Sequence, residues 1–479
     1  MGVLANPAVQ DPAIDDRAAE VECDNGKQDP LVTHSEAPQD EKVLTGKKST
    51  SSEARQIQPF ELENAEEHPI DHESNFPEGG WKAWSVVFAA FITLLPSFGF
   101  MVSIGVLQDY WHQNQLSHMS ARDVGWIPSI FVYLCLAGGL GVGPLFDMYG
   151  PRWLMLIGSS SYIVMMFALA QCTKFWHFML CVGILGGLSG ASLTTTSLAC
   201  VAHWFKKRRG LTQGIAMIGS SFGGLTIPMV LRTTLPKYGY EWSVRILAFT
   251  FAGCLIIGNV LMKARIPPNP QAKKKPIIQL SMFLDLGFSL LTISIFGLEV
   301  VIFGALGIVP TYATISTSYP SDTGFYLIAV LNGVSCLGRL LPGYLSDKIG
   351  RFNTLTIFII TTEIVMLAIW LPFGTTSLPA LYVFIALFGF GTGCWMALVP
   401  ACIGQLCSAQ DFGRYYGTSY FVASLAALVC IPISGELLEA VGPQAMVGFF
   451  IAVGGITLVT FVTSRWACLH WRWSWTEKI

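Results

Sequence analysis

From about Trp84 onward the sequence is a succession of apolar runs, each roughly 20 residues long and separated by short polar gaps. A helix of that length crosses about 30 Å of hydrocarbon. In lipid, every backbone amide must be satisfied within its own segment, so helices are the expected form. The spans are predicted at 84–107, 124–146, 153–172, 176–201, 211–233 and 243–262, and, after a basic linker, at 286–311, 323–345, 353–373, 378–405, 415–437 and 444–465. A membrane β-barrel would show alternating segments of about ten residues instead. The expectation is an all-α integral membrane fold with 12 transmembrane helices in two six-helix pseudo-repeated halves.

Only 13% of the 479 residues are charged, about half the share of a soluble globular chain. The 12 cysteines are scattered, with no CxxC pair or Cys/His cluster, so neither a disulfide framework nor a metal site is indicated. LTGKKST (44–50) hints at a phosphate loop, but Glu41 stands where its first glycine belongs and no strand precedes it. No nucleophile–base arrangement or dinucleotide loop is present either. The chain therefore reads as a non-enzyme with no cofactor, no metal and no nucleic-acid partner.

Residues 1–78 hold 18 Asp/Glu against 6 Lys/Arg, while the remainder holds 13 against 23. The first segment is poor in large apolar side chains and cannot offset its chain entropy by burial, so it is read as a disordered acidic cytosolic tail. It lacks the basic and apolar regions of a leader peptide. The expected organisation is then 79–262 as the first six-helix half, 263–285 as a cytosolic linker, 286–465 as the second half and 466–479 as a cytosolic interfacial tail. Trp466, Trp471, Trp473 and Trp475, mixed with Arg465 and Arg472, suit that interfacial placement.

Orientation follows from Lys and Arg in the short loops. One side carries Arg152, Lys206 to Arg209, Lys263, Arg265, Lys273 to Lys275, Lys348, Arg351 and Arg414, whereas the other offers little beyond Arg122, Lys174 and Lys237. This predicts a multi-pass protein with both termini in the cytosol, the plasma membrane being the expected location. KKRR (206–209) would meet anionic headgroups of the inner leaflet, at about 1 kcal/mol per charge.

GPLFDMYGPR (143–152) and GYLSDKIGR (343–351) occupy equivalent points of the two halves, after the second helix of each. Gly143, Leu145, Asp147 and Gly150 match Gly343, Leu345, Asp347 and Gly350 at constant offset, and Arg152 and Arg351 follow. Repeated halves are the usual build of secondary transporters, with the solute held between them near the midplane.

The repeated stretch resembles the loop signature of the major facilitator superfamily, G-x-L-x-D-(R/K)-x-G-(R/K). PEGGWKAW (77–84), with Glu78, Gly79, Gly80, Trp81 and Trp84, resembles the (D/E)-G-G-W-x-W motif that opens the first helix of its monocarboxylate-porter family. HWFKKRRGLTQGIAMIGSSFGG (203–224) resembles that family's stretch from loop 4–5 into helix 5. The likeness covers roughly residues 77–465, and the long acidic N-terminal segment is similar to that of fungal members.

The resemblance implies a transporter in which the loop aspartate helps latch the cytosolic face. Asp147 would meet Arg152 and the positive end of a helix from the opposite half, helix 11 near Arg414 being the expected partner; Asp347 would play the equivalent part. A helix dipole is worth about 0.3–1 kcal/mol at exposed sites and up to about 2 when partly buried. The plainer reading is that both aspartates only cap or solvate tight turns. Gly-x-x-x-Gly spacings at Gly139/Gly143, Gly183/Gly187, Gly219/Gly223 and Gly389/Gly393 allow close helix approach, for sliding seams or static packing alike.

Away from the span ends, three charges fall inside spans, where each costs at least about 2.5–3.5 kcal/mol at the helix centre: Glu299, Arg339 and Glu363. Arg339 resembles the family's helix-8 arginine, assigned to the solute carboxylate, and a guanidinium fork suits that group. Asn332 shares roughly its helix face. Glu299 lies mid-span on a helix that lines the cavity in this superfamily and is a candidate solute contact or proton carrier; Glu363 belongs to helix 9, which usually faces outward. The lactate-type porters carry a helix-1 lysine and an aspartate one turn before the helix-8 arginine, where this chain has Val102 and Ser335. GSSFGG (219–224) has Ser220 where drug/proton antiporters place proline. Their proton coupling is therefore not carried over; Phe390, Trp395, Met396 and the largely apolar, aromatic spans would tolerate a bulkier, less charged solute than lactate. The reading is a secondary transporter moving a small organic solute, a monocarboxylate-like anion or a secondary metabolite, by alternating access. The alternative is a transport-inactive sensor or scaffold signalling through the N-terminal tail.

Overall fold

The computed structural model describes residues 76–268, 276–277, 279–315, 319–320 and 323–472, with 474 and 477. The acidic segment up to residue 75, Lys273 to Lys275, Trp473 and Trp475 lie outside the described residues. Among the described residues, eleven helices are long and apolar enough to cross a membrane, and no strand forms. One of the eleven, Arg209–Leu261, has 53 residues. At 1.5 Å per residue it would be about 80 Å long if straight, well over twice the hydrocarbon thickness. Gly239 divides it: at φ 74, ψ 176 it adopts a conformation open to glycine and not to L side chains.

Twelve crossings result. They are α1 (Trp81–Gln113), α2 (Arg122–Tyr149), α3 (Pro151–Leu169), α4 (Phe175–Trp204), α5 (209–238), α6 (240–261), α7 (Leu286–Ala313), α8 (Thr323–Ile349), α9 (Arg351–Phe373), α10 (Leu378–Ile403), α11 (Phe412–Ala440) and α12 (Pro443–Cys468). Several run past the apolar stretches that predict them: α1 starts three residues before Trp84 and ends six residues after Leu107, because polar ends of a helix can project beyond the hydrocarbon.

Gly150, between α2 and α3, and Gly350, between α8 and α9, have φ values of 76° and 99°. Each reverses the chain in a single residue, so the repeated stretches are tight elbows. Consecutive crossings alternate in direction, and one face of the bundle therefore carries the two elbows, the α4–α5 and α10–α11 connections and the residues leading into α7. The lysines and arginines cluster there, and it is called the basic face below. The halves meet along two related seams, α2 against α11 and α5 against α8.

Candidate functional site

At the basic face each seam is closed by an aspartate. Asp147, only 3% exposed, accepts hydrogen bonds from the backbone N–H groups of Gly413 (3.1 Å) and Arg414 (2.9 Å). Asp347 accepts from Gly210 and Leu211, both at 2.9 Å. In both cases the carboxylate of one half sits on the first turn of a helix from the other, where unpaired N–H groups and the helix dipole favour negative charge. Arg351 lies 3.8 Å from Asp347 and donates to the Lys206 carbonyl across the same seam. Arg152 is exposed and, among the described residues, forms no ion pair with Asp147, departing from the expected pairing. It sits beyond the elbow at Gly150, on a helix that runs back into the bilayer.

These contacts require close backbone approach. A Cβ at Gly143 would overlap the Gly413 carbonyl, one at Gly417 the Gly139 carbonyl, and one at Gly214 the Arg339 carbonyl. The acceptor side of these seam contacts was visible in the sequence. The donor side has a weaker signature, Gly210/Gly214 in α5 and Gly413/Gly417 in α11, repeated at an offset of 203.

The opening motif and loop 4–5 also meet. The Glu78 carboxylate accepts from the backbone of Lys206 and Lys207, both at 2.6 Å, and Arg208 at 3.1 Å. Glu78 and Asp347 thus divide the amides leading into α5 between them. Gly80, at φ 85°, turns the chain into α1, and Trp84 packs edge-on against Phe205 at 5.6 Å. Trp81 points out from the protein. Within KKRR only Lys207 and Arg208 are exposed. Arg209 turns inward, donating to Gly404 at the C-terminus of α10 (2.5 Å) and to Ala202 (3.2 Å) and Phe205 (3.1 Å). A cation there satisfies carbonyls that have no helical partner, so this arginine is a bolt between halves and not a headgroup ligand.

Between the halves lies a narrow cavity lined by Phe98 and Val102 of α1, Ile302, Phe303 and Leu306 of α7, Leu331, Asn332, Ser335 and Arg339 of α8, and Thr392 and Met396 of α10. It has room for ordered water and not for an organic solute, so the halves must part to admit one. Near the face opposite the basic one, Arg232 of α5 stacks 4.6 Å over Phe325 of α8. Arg339 and Asn332 are brought together in the cavity wall. Asn332 donates to Ile328 at 3.1 Å. Glu299 is not among the lining residues: it lies one turn closer to the basic face than Phe303, where α7 is already packed on α11, and it is 2% exposed. Glu363 of α9 lies against Gly454 of α12, away from the cavity.

Arg339 is 4% exposed and no carboxylate among the described residues pairs with it. Its Nη1 donates to the Met217 carbonyl and the Ser220 hydroxyl of α5, while its Nε finds no acceptor. At the repeat offset of 200 its counterpart in the first half is Gly139. That glycine sits on the α2–α11 seam as Arg339 sits on the α5–α8 seam. The related seam is thus built with no side chain at this position.

Two repeated halves around a midplane cavity, joined by polar contacts that cross from one half to the other, define a secondary transporter. The sequence profile of the Major Facilitator Superfamily matches residues 86–417 and 334–473. The chain is 34% identical over 464 residues to "Riboflavin transporter MCH5" of Saccharomyces cerevisiae, covering 90% of this chain and 89% of that one. It is 36% identical over 383 residues to "Aspyridones efflux protein apdF" of Emericella nidulans, covering 79% and 76%. Among solved structures, the human organic anion transporter MFSD10 (TETRAN) superposes with a TM-score of 0.64 at 17% identity, covering 80% of this chain and 99% of that one, and shares the fold. The chain belongs to the major facilitator superfamily and is a secondary transporter of small organic solutes or metabolites.

Proposed function

We propose that the solute is an organic anion with a large apolar body, a monocarboxylate or an acidic secondary metabolite, carried by alternating access across the plasma membrane with the basic face in the cytosol. One observation carries this reading: a buried guanidinium without a carboxylate partner lines a cavity that is otherwise mostly apolar. Burying an uncompensated charge is expensive, and an arriving carboxylate supplies the missing partner. The positive-inside pattern of Lys and Arg supports the orientation. Relatives named as efflux proteins support export, and the relative named as a riboflavin transporter makes riboflavin one of the first compounds to assay.

In this cycle Asp147 and Asp347 are latches, released when the basic face opens and the seams part. A solute moves the equilibrium only by binding one state better than the other, and the cavity side of Arg339 offers such a difference because its surroundings come from both halves. The test is comparison of metabolites inside and outside cells with and without the protein, followed by Arg339→Ala. The variant is expected to abolish transport of the anion so found at unchanged protein abundance. Transport with wild-type kinetics would remove Arg339 from the site.

A further inference from the structure

Arg339 uses only one of its terminal nitrogens for the protein. The Met217 carbonyl and the Ser220 hydroxyl both take Nη1, and Ser220 Oγ also donates to that carbonyl at 3.1 Å, which fixes the hydroxyl's direction. The opposite edge of the guanidinium, formed by Nε and Nη2, is left over: Nε has no acceptor and no hydrogen bond from Nη2 occurs among the described residues. This is the edge whose two N–H groups lie parallel and match the two oxygens of a carboxylate. Beside it, Ser221 of α5 donates to Ser335 of α8 at 3.2 Å, so the α5–α8 seam is closed by hydrogen bonds at this depth as well.

We propose that Ser220, with the Met217 carbonyl, is the positioning element that presents Arg339 as a two-pronged carboxylate fork, assembled from both halves of the protein. This rests on the reading of Arg339 as the anion-binding group and adds the residue that aims it. Ser220 is fully buried and does not itself contact the solute; it acts by holding Nη1, so that the Nε–Nη2 edge is left for the solute when the halves part. Because the holder is on α5 and the arginine on α8, the fork exists only while the two helices are docked. Carboxylate affinity is therefore conformation-dependent by construction, which is what a transport cycle needs. The solute class that fits is a carboxylate able to accept two parallel hydrogen bonds, attached to an apolar or aromatic frame that meets Phe98, Phe303 and Leu306.

The experiment uses the full chain in lipid nanodiscs and two probes of nearly the same shape, hydrocinnamate and its neutral amide, with binding measured by calorimetry. The wild type is expected to bind the carboxylate at least about tenfold more tightly than the amide, as a charge-assisted pair of bonds implies. Ser220→Ala should weaken the carboxylate by about five- to tenfold and leave the amide unchanged. Ser220→Cys, nearly isosteric but a poor acceptor, should do the same, and Ser220→Thr, which keeps the hydroxyl, should restore the preference. If Ser220→Ala and Ser220→Cys weaken both probes equally, or neither, the positioning role is overturned while Arg339 can still be the anion group. If the wild type shows no preference and Arg339→Gln binds both probes as the wild type does, the anion reading itself falls and this inference with it.

Discussion

Replacing Asp147 by Asn tests the latch at the basic face. The carboxylate accepts from two backbone N–H groups at the start of α11, at 3.1 and 2.9 Å, in a place almost closed to water. An asparagine keeps one acceptor oxygen and turns an amide group toward the second N–H, so one of the two bonds is lost and the remaining one is no longer charge-assisted. A hydrogen bond to a charged group is worth about 1.5–3 kcal/mol, and the charge–dipole attraction adds up to about 2 when partly buried. Taking about 2 kcal/mol as the net loss, the equilibrium between closed and open basic face shifts by about 30-fold, since 1.4 kcal/mol is a factor of ten. Spin labels at Arg152 and Lys348, exposed residues of opposite halves on this face, report it by electron–electron distance measurement. The variant should gain a longer distance component that the wild type populates little. Asp347→Asn should act in the same direction, and because the two sites share no partner, their free energies should add. An unchanged distance distribution in the double variant would refute the assignment of these aspartates as latches, leaving them as turn residues only.

Two further substitutions probe the same face. Gly143→Ala puts a methyl group into the Gly413 carbonyl, a backbone atom that cannot swing aside, and should hold α2 and α11 apart at a cost of about 1–3 kcal/mol; Gly141→Ala, whose methyl meets open space, is the control, and equal behaviour of the two in the distance assay would contradict the close-approach argument. Glu78→Ala leaves three backbone N–H groups of residues 206–208 without their acceptor and should accelerate amide hydrogen exchange at those residues by about 10- to 100-fold, in line with a loss of about 1–3 kcal/mol; unaltered exchange there would mean the opening motif does not hold loop 4–5.

Some features are local, and the sequence determined them alone. An apolar run of about 20 residues in lipid has a helix as its stable form whatever its neighbours are, so the number of crossings could be counted from hydropathy. Gly150 and Gly350 fall in the short gaps between predicted spans, and their repetition at an offset of 200 gave away the two halves, although only the structure shows that each reverses the chain in a single residue. Asp147, Asp347 and Arg339 stood out because acids and bases in so apolar a chain are costly wherever they lie. What each charge touches depended on docking between helices that are distant in the chain. Asp147 meets amides 266 and 267 positions away, and Arg339 meets Ser220 and Met217 at separations of 119 and 122. No periodicity encodes such pairings, and for that reason Arg209 turned out to be an inward bolt, Arg152 an exposed residue and Glu299 a residue off the cavity wall. Helix formation is set by the solvent along each segment, whereas the register of one half against the other is set by which backbones can touch, and only the assembled bundle decides that.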